Sequence, residues 1–139
     1  MEVCWRMIEG NLKRLNFEKK ATVLIYKVPP HYGGFKEKFP ERVKEEEIGK
    51  PINLTKAYAL TKKENLKIYP GSMEIREGKN YALSSRTVAS LGIGETIQEA
   101  REISLQGVNA IRGGGLWYRK DIASKEHIKK SRDHLKKLE

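Results

Sequence analysis

The chain has 139 residues, 28 of them Lys or Arg against 18 Asp or Glu, for a net charge of +10. That length suits one compact core, or a core with a tail, but not two. With 38% hydrophobic and 33% charged residues, the balance excludes a collagen, a disulfide scaffold and wholesale disorder.

No apolar run approaches the length a bilayer span requires, and the acidic opening MEVCWRMIEG predicts no signal peptide. Cys4, the lone cysteine, allows neither an internal disulfide nor a cysteine-based zinc site and points to a reducing cytoplasm. Residues 2–15 space Val3, Met7, Ile8, Leu12 and Leu15 as a helix does, and Gly10 predicts an end to it. The pattern starts with no capping residue ahead of it, so residues 1–18 are expected to be the remnant of a longer helix, and residues 19–139 the domain proper. Cys4 is expected in the core of that helix's packing.

ATVLIYKV at 21–28, β-branched and closed by Pro29-Pro30, predicts a strand buried on at least one face. Prolines and glycines punctuate 29–54 without a sustained period, which predicts a long surface excursion. Short strands are expected at 56–60, 65–69, 72–76, 81–83 and 87–93, with a hairpin turn at 77–80. Thr96 and Glu99 read as a capping box. Ile97, Ala100, Ile103, Val108 and Ile111 trace the apolar face of the helix it opens, and Gly113 stops it. A last helix begins at a Ser124 cap, with only Ile128, Leu135 and Leu138 as an apolar stripe. The sum is an α+β domain with a mainly antiparallel sheet, one packed helix and a polar C-terminal helix.

Residues 119–139 carry eight Lys or Arg and four Asp or Glu, which raises RNA or another polyanion as a partner for a non-enzymatic basic module. Against it, the aromatics are scattered through strand candidates. Acids also alternate with bases at helical pair spacing, as in Glu126 with Lys130 and Asp133 with Lys137, so a solvated ion-paired face is the stronger reading. Gly92-Ile93-Gly94 lacks the third glycine of a dinucleotide fingerprint and the lysine of a P-loop. Turn geometry explains it better, as helix termination explains Gly113-Gly114-Gly115. His31, His127 and His134 are too dispersed for a metal site. The combination that stands out is Arg86 between two strands and Arg119-Lys120-Asp121 after the capped helix. If these converge on one edge, the cations suit a phosphate or carboxylate, with Asp121 orienting an arginine. An Arg119–Asp121 ion pair of purely local effect is the alternative.

Those residues also carry a resemblance. SSRTVASLGIGETIQEA followed by GGGLWYRKDI resembles the C-terminal domain of phosphoribosylamine–glycine ligase, with its strand-entering arginine, V-x-x-x-G-I-G-[DE]-T-[LI]-x-E-A and Y-R-[KR]-D-I-G. ATVLIYKVPPHY and IYPGSMEIREGKNYALSSR are similar to the archaeal branch, and MIEGNL resembles the last helix of the preceding ATP-grasp domain. The resemblance implies a small sheet-rich unit of the rudimentary single-hybrid type that closes the active site of a purine-biosynthetic ATP-grasp enzyme. It implies that Arg86, Arg119, Lys120 and Asp121 face the phosphoribosyl substrate or a domain interface, with no catalytic, cofactor or metal residue in this chain. ATP and magnesium are then expected only in an ATP-grasp partner. A homo-oligomer through the N-terminal helix is a further expectation. Ala123 departs from the family glycine, and these residues alone are not expected to be active.

Overall fold

The computed structural model describes residues 2–15 and 17–138. Helix α1 (Glu2–Ile8) ends where Gly10 takes a φ of +66°. Its side chains do not enter the core: Trp5 is 62% and Ile8 78% exposed, Phe17 beyond it is 82% exposed, and Cys4 is exposed as well. The expectation of a core cysteine is therefore wrong. An apolar spacing shows that a face seeks cover, not that this chain supplies it.

Strand β1 (Ala21–Lys27) pairs antiparallel with β6 (Val88–Gly94), which also pairs with β3 (Leu66–Pro70), so β6 is central in a three-stranded sheet. A second antiparallel sheet has the order β4 (Met73–Arg76), β5 (Lys79–Ala82), β2 (Ile52–Asn53), β7 (Arg112–Gly113). The α+β class with antiparallel sheets is as expected. Within the 29–54 excursion lie a helical turn, α2 (Phe35–Lys38), and three short 3-10 turns. Its far end is less superficial than expected, because Ile52 and Leu54 are buried.

Several details differ from the sequence reading. Residues 56–60 form part of a helix, α3 (Thr55–Leu60), because Leu54, Ala57 and Leu60 turn together towards the core and the Asn53 side chain accepts the Thr55 N–H at 2.9 Å. The hairpin turn is the pair Glu77-Gly78, with φ values of +48° and +73°. Both lie in the left-handed region that a two-residue I′ turn needs, so Lys79 and Asn80 already belong to β5.

Helix α4 (Ile97–Ala110) covers the first sheet. Thr96 caps it, its hydroxyl accepting the Glu99 N–H at 3.1 Å, while the Glu99 carboxylate accepts from Glu95 N–H at 2.8 Å, one residue before the reciprocal partner expected. The helix ends at Ala110, ahead of Gly113, which belongs to β7. Gly92 and Gly94 lie inside β6, not in a turn. A Cβ on Gly92 would stand 2.0 Å from the Ala100 carbonyl oxygen, so these glycines are where the α4 backbone meets the strand.

A second close approach lies two turns further along α4. A Cβ on Gly107 would fall 2.2 Å from Ser90 Oγ, a buried hydroxyl with no hydrogen-bond partner among the described residues. Gly107→Ala is expected to cost about 1–3 kcal/mol through overpacking. Ser90→Ala removes an unbonded hydroxyl and is expected to be neutral or slightly stabilising. The double variant then recovers much of the loss, with a coupling energy of about 1 kcal/mol or more in denaturant titrations. Simple additivity would show that the two side chains do not compete for the same space.

Helix α5 (Lys125–Leu135) starts as expected, with Ser124 Oγ accepting the His127 N–H, and none of its residues is buried. Among the described residues, neither the Glu126–Lys130 nor the Asp133–Lys137 pair closes to ion-pair distance. Among the described residues, no helix is long and apolar enough to cross a membrane.

Candidate functional site

The segment from Leu116 to Ile122 is held in place from two sides. Val28 and Trp117 exchange both backbone hydrogen bonds, at 2.9 and 3.0 Å, and Trp117 Nε1 donates to the Pro29 carbonyl. From α4, Arg101 Nε donates to the Ile122 carbonyl at 3.0 Å and its Nη2 to the Lys120 carbonyl at 2.7 Å. Tyr118 donates its hydroxyl proton to Asn109 Oδ1 at 2.7 Å. Arg101 and Asn109 were not singled out from the sequence, since neither belongs to the charged motif they position.

Within this segment, Arg119 and Asp121 form a two-pronged pair, Nε to Oδ1 at 3.0 Å and Nη2 to Oδ2 at 2.6 Å. The hydrogen bond from Arg119 holds the Asp121 carboxyl below its ordinary pKa and, reciprocally, raises that of Arg119. Both side chains are more than half exposed, so the pair adds little to stability, about 0–1 kcal/mol. Its effect is orientation: the fork is pinned in one plane, and Arg119 keeps further N–H donors to offer. Arg119, Lys120 and Asp121 line a cavity of about 1180 Å³ together with Lys38, Phe39 and Trp117. Ala123, at the position of the motif's usual glycine, has a φ of +55°, so the left-handed backbone that glycine favours is retained here at the cost of some strain.

Arg86 is not among the described residues that line this cavity. Its guanidinium lies 5.6 Å from the centre of the Tyr26 ring, and Tyr26 points to the opposite face of β1 from buried Val23, Ile25 and Lys27. Arg86 therefore stacks against Tyr26, while Arg119, Lys120 and Asp121 share the cavity beside Trp117.

Lys27 is the residue the motif reading missed. It is only 9% exposed, and its Nζ donates to the carbonyl of Ile111, the residue closing α4, at 2.7 Å. The amine also stands 5.9 Å from the Tyr118 ring centre. Burial, aided by the Arg112 charge and opposed by Glu47, pushes its pKa down to about 8. The signal was present in ATVLIYK, where Lys27 occupies the same alternate register as Val23 and Ile25. Among the described residues no three His, Cys, Asp or Glu side chains gather as a metal cage. His127 instead accepts the Ala123 N–H through Nδ1.

Comparison with known proteins agrees with the motifs. Residues 36–125 match the family model of the phosphoribosylglycinamide synthetase C domain. The phosphoribosylamine–glycine ligase of Methanosarcina barkeri is 36% identical across 99% of this chain. Those of Methanococcus maripaludis and Methanocaldococcus jannaschii are 34% and 33% identical, each across 99% of the chain. The chain spans only 28–29% of the length of these relatives. With a family model matching residues 36–125 and relatives 33–36% identical across 99% of its length, the chain belongs to the phosphoribosylglycinamide synthetase C-domain family.

Proposed function

We propose that these residues act as the C-terminal domain of a phosphoribosylamine–glycine ligase in cytoplasmic purine biosynthesis, inactive alone and completing the phosphoribosylamine site of an ATP-grasp body. The observation that carries this reading is one of proportion: an alignment covering 99% of the chain takes up 28% of the Methanosarcina barkeri ligase. The ATP, magnesium and glycine sites are assigned to the body, which makes up the rest of such a ligase. Arg119 and Lys120 meet the phosphate of the substrate, with Asp121 holding the Arg119 fork in plane. The exposed apolar side chains of α1, Trp5 and Ile8 among them, provide contact with the body, and Arg86 serves the interface on the outer sheet face.

The test mixes the chain with a ligase body from which this domain has been deleted. ADP release that depends on glycine and phosphoribosylamine is expected only when both are present. Arg119→Ala is expected to lower that rate about tenfold or more, the loss of one charge-assisted contact. Absence of both association and ADP release overturns the proposal. Self-association through α1 without binding to the body overturns it in favour of a homo-oligomer.

A further inference from the structure

A second cavity, of about 640 Å³, shares Leu116 and Trp117 with the first but is lined by none of Arg119, Lys120 and Asp121. Buried Lys27 lines it with Lys44, Lys50 and Arg112, and among the described residues Glu47 is its one lining carboxylate. Lys44 spends part of its charge on Glu47 at 3.4 Å. Lys27 donates its hydrogen bond to a neutral carbonyl, that of Ile111. Among the described residues, Lys50 and Arg112 thus accompany a buried amine whose one opposing lining carboxylate, Glu47, is shared with Lys44 and only partly offsets the burial, an arrangement that is unfavourable until an anion enters.

The cavity is built rather than incidental. The 29–54 excursion returns through Pro51 to pair β2 with β7, which brings Lys44, Glu47 and Lys50 opposite a β1 side chain. Close approach there depends on glycine. Gly113, Gly114 and Gly115 all have φ between +61° and +81°, and a Cβ on Gly113 would stand 2.3 Å from the Pro51 carbonyl oxygen. Pro30, Pro51, Leu116 and Trp117 add apolar wall beside the charges.

We propose that this cavity binds the phosphate dianion of a small phosphorylated molecule, with Lys27 and Arg112 as its principal donors. The charge argues for phosphate over a single carboxylate, because four cations face one acid and a monoanion leaves most of that excess in place. The room beyond the charges and the apolar wall suit a phosphomonoester over free phosphate. The site is separate from the Arg119 cavity and does not rest on the ligase reading.

The test is calorimetric titration of the full chain at fixed ionic strength, with inorganic phosphate in one arm and glycerol 3-phosphate in the other. Saturable binding is expected in both arms, tighter for the ester. Lys27→Met and Arg112→Gln are each expected to weaken it about tenfold or more. Lys27→Met is also expected to melt no lower than the wild type at pH 7, which separates lost binding from lost fold. Binding should draw up a proton above pH 8, visible as a dependence of the heat on buffer ionisation. That uptake belongs to Lys27, faced by Arg112 and Glu47, and should vanish in Lys27→Met. Free phosphate binding as tightly as the ester overturns the ester assignment. Binding that survives Lys27→Met but is lost in an Arg119→Ala/Lys120→Ala variant overturns the site. Equal, small losses in every cation variant would mean diffuse surface attraction and overturn it too.

Discussion

Lys27→Met is expected to stabilise the domain by about 1–2 kcal/mol at pH 7, a Tm rise of about 5 °C, and to destabilise it above about pH 10. The lysine has an ordinary pKa of 10.5 and is held near 8 in the fold, chiefly by burial. Between those values the unfolded chain binds more protons than the folded one, so wild-type stability rises with pH across that window. Below pH 8 the full penalty applies, about 3 kcal/mol for a shift of this size. Methionine escapes that penalty but leaves the Ile111 carbonyl without its donor, which returns about 1–2 kcal/mol. Once Lys27 is neutral, only that loss remains and the sign reverses. Denaturant titrations of both proteins from pH 6.5 to 10.5 check this, because every other titrating group cancels in the difference. A difference that stays flat with pH would mean that the amine is well solvated. The expected crossing point makes Lys27 a residue held at a cost to folding, as an anion-binding group would be.

How much could be read beforehand depends on the physical range of each signal. Strand β1 and the caps at Thr96 and Ser124 rest on local chemistry, and local chemistry is written in adjacent residues. The Glu77-Gly78 turn was found but drawn two residues too long, because strand pairing, not composition, decides which residue is last in the turn. Helix α3 was misread as a strand because Ala57, Tyr58, Ala59 and Leu60 satisfy both a period of two and a period of three. The burial of Leu54 and Ala57 against Leu66 and Ile111 decides between them. The Arg119–Asp121 pair was legible because its members are two residues apart. The stacking of Arg86 on Tyr26 was not, since it joins residues sixty positions apart through the pairing of β1 with β6. Lys27 was overlooked because its meaning lies in a cavity whose other cations come from residues 44, 50 and 112. Only tertiary structure brings those together.

Gly92→Ala is expected to have the largest effect on the fold itself. The added methyl carbon would lie 2.0 Å from the Ala100 carbonyl oxygen and 2.5 Å from the Ser104 nitrogen. Both are α4 backbone atoms, so no side-chain rotation relieves the clash. The helix must lift from β6, and with it go the contacts of Ala100 and Val108 with Val23 and Ile25. Ordinary overpacking costs about 1–3 kcal/mol, with backbone displacement above that range, against a total stability of about 5–15 kcal/mol for a domain of this kind. The expected result is a chain with strongly reduced near-ultraviolet circular dichroism and no cooperative thermal transition near that of the wild type. Gly33→Ala is the control. It too changes a glycine, at a φ of +69°, but an added Cβ there meets nothing within 4 Å, so it is expected to cost only about 1 kcal/mol. The pair also separates two readings of the G-I-G motif. A phosphate-cradling glycine, once substituted, leaves a folded protein with weakened anion affinity, whereas a glycine that seats a helix on a strand leaves no packed domain to bind anything. If Gly92→Ala folds normally and loses only affinity for phosphate, the glycines of β6 belong to a ligand after all.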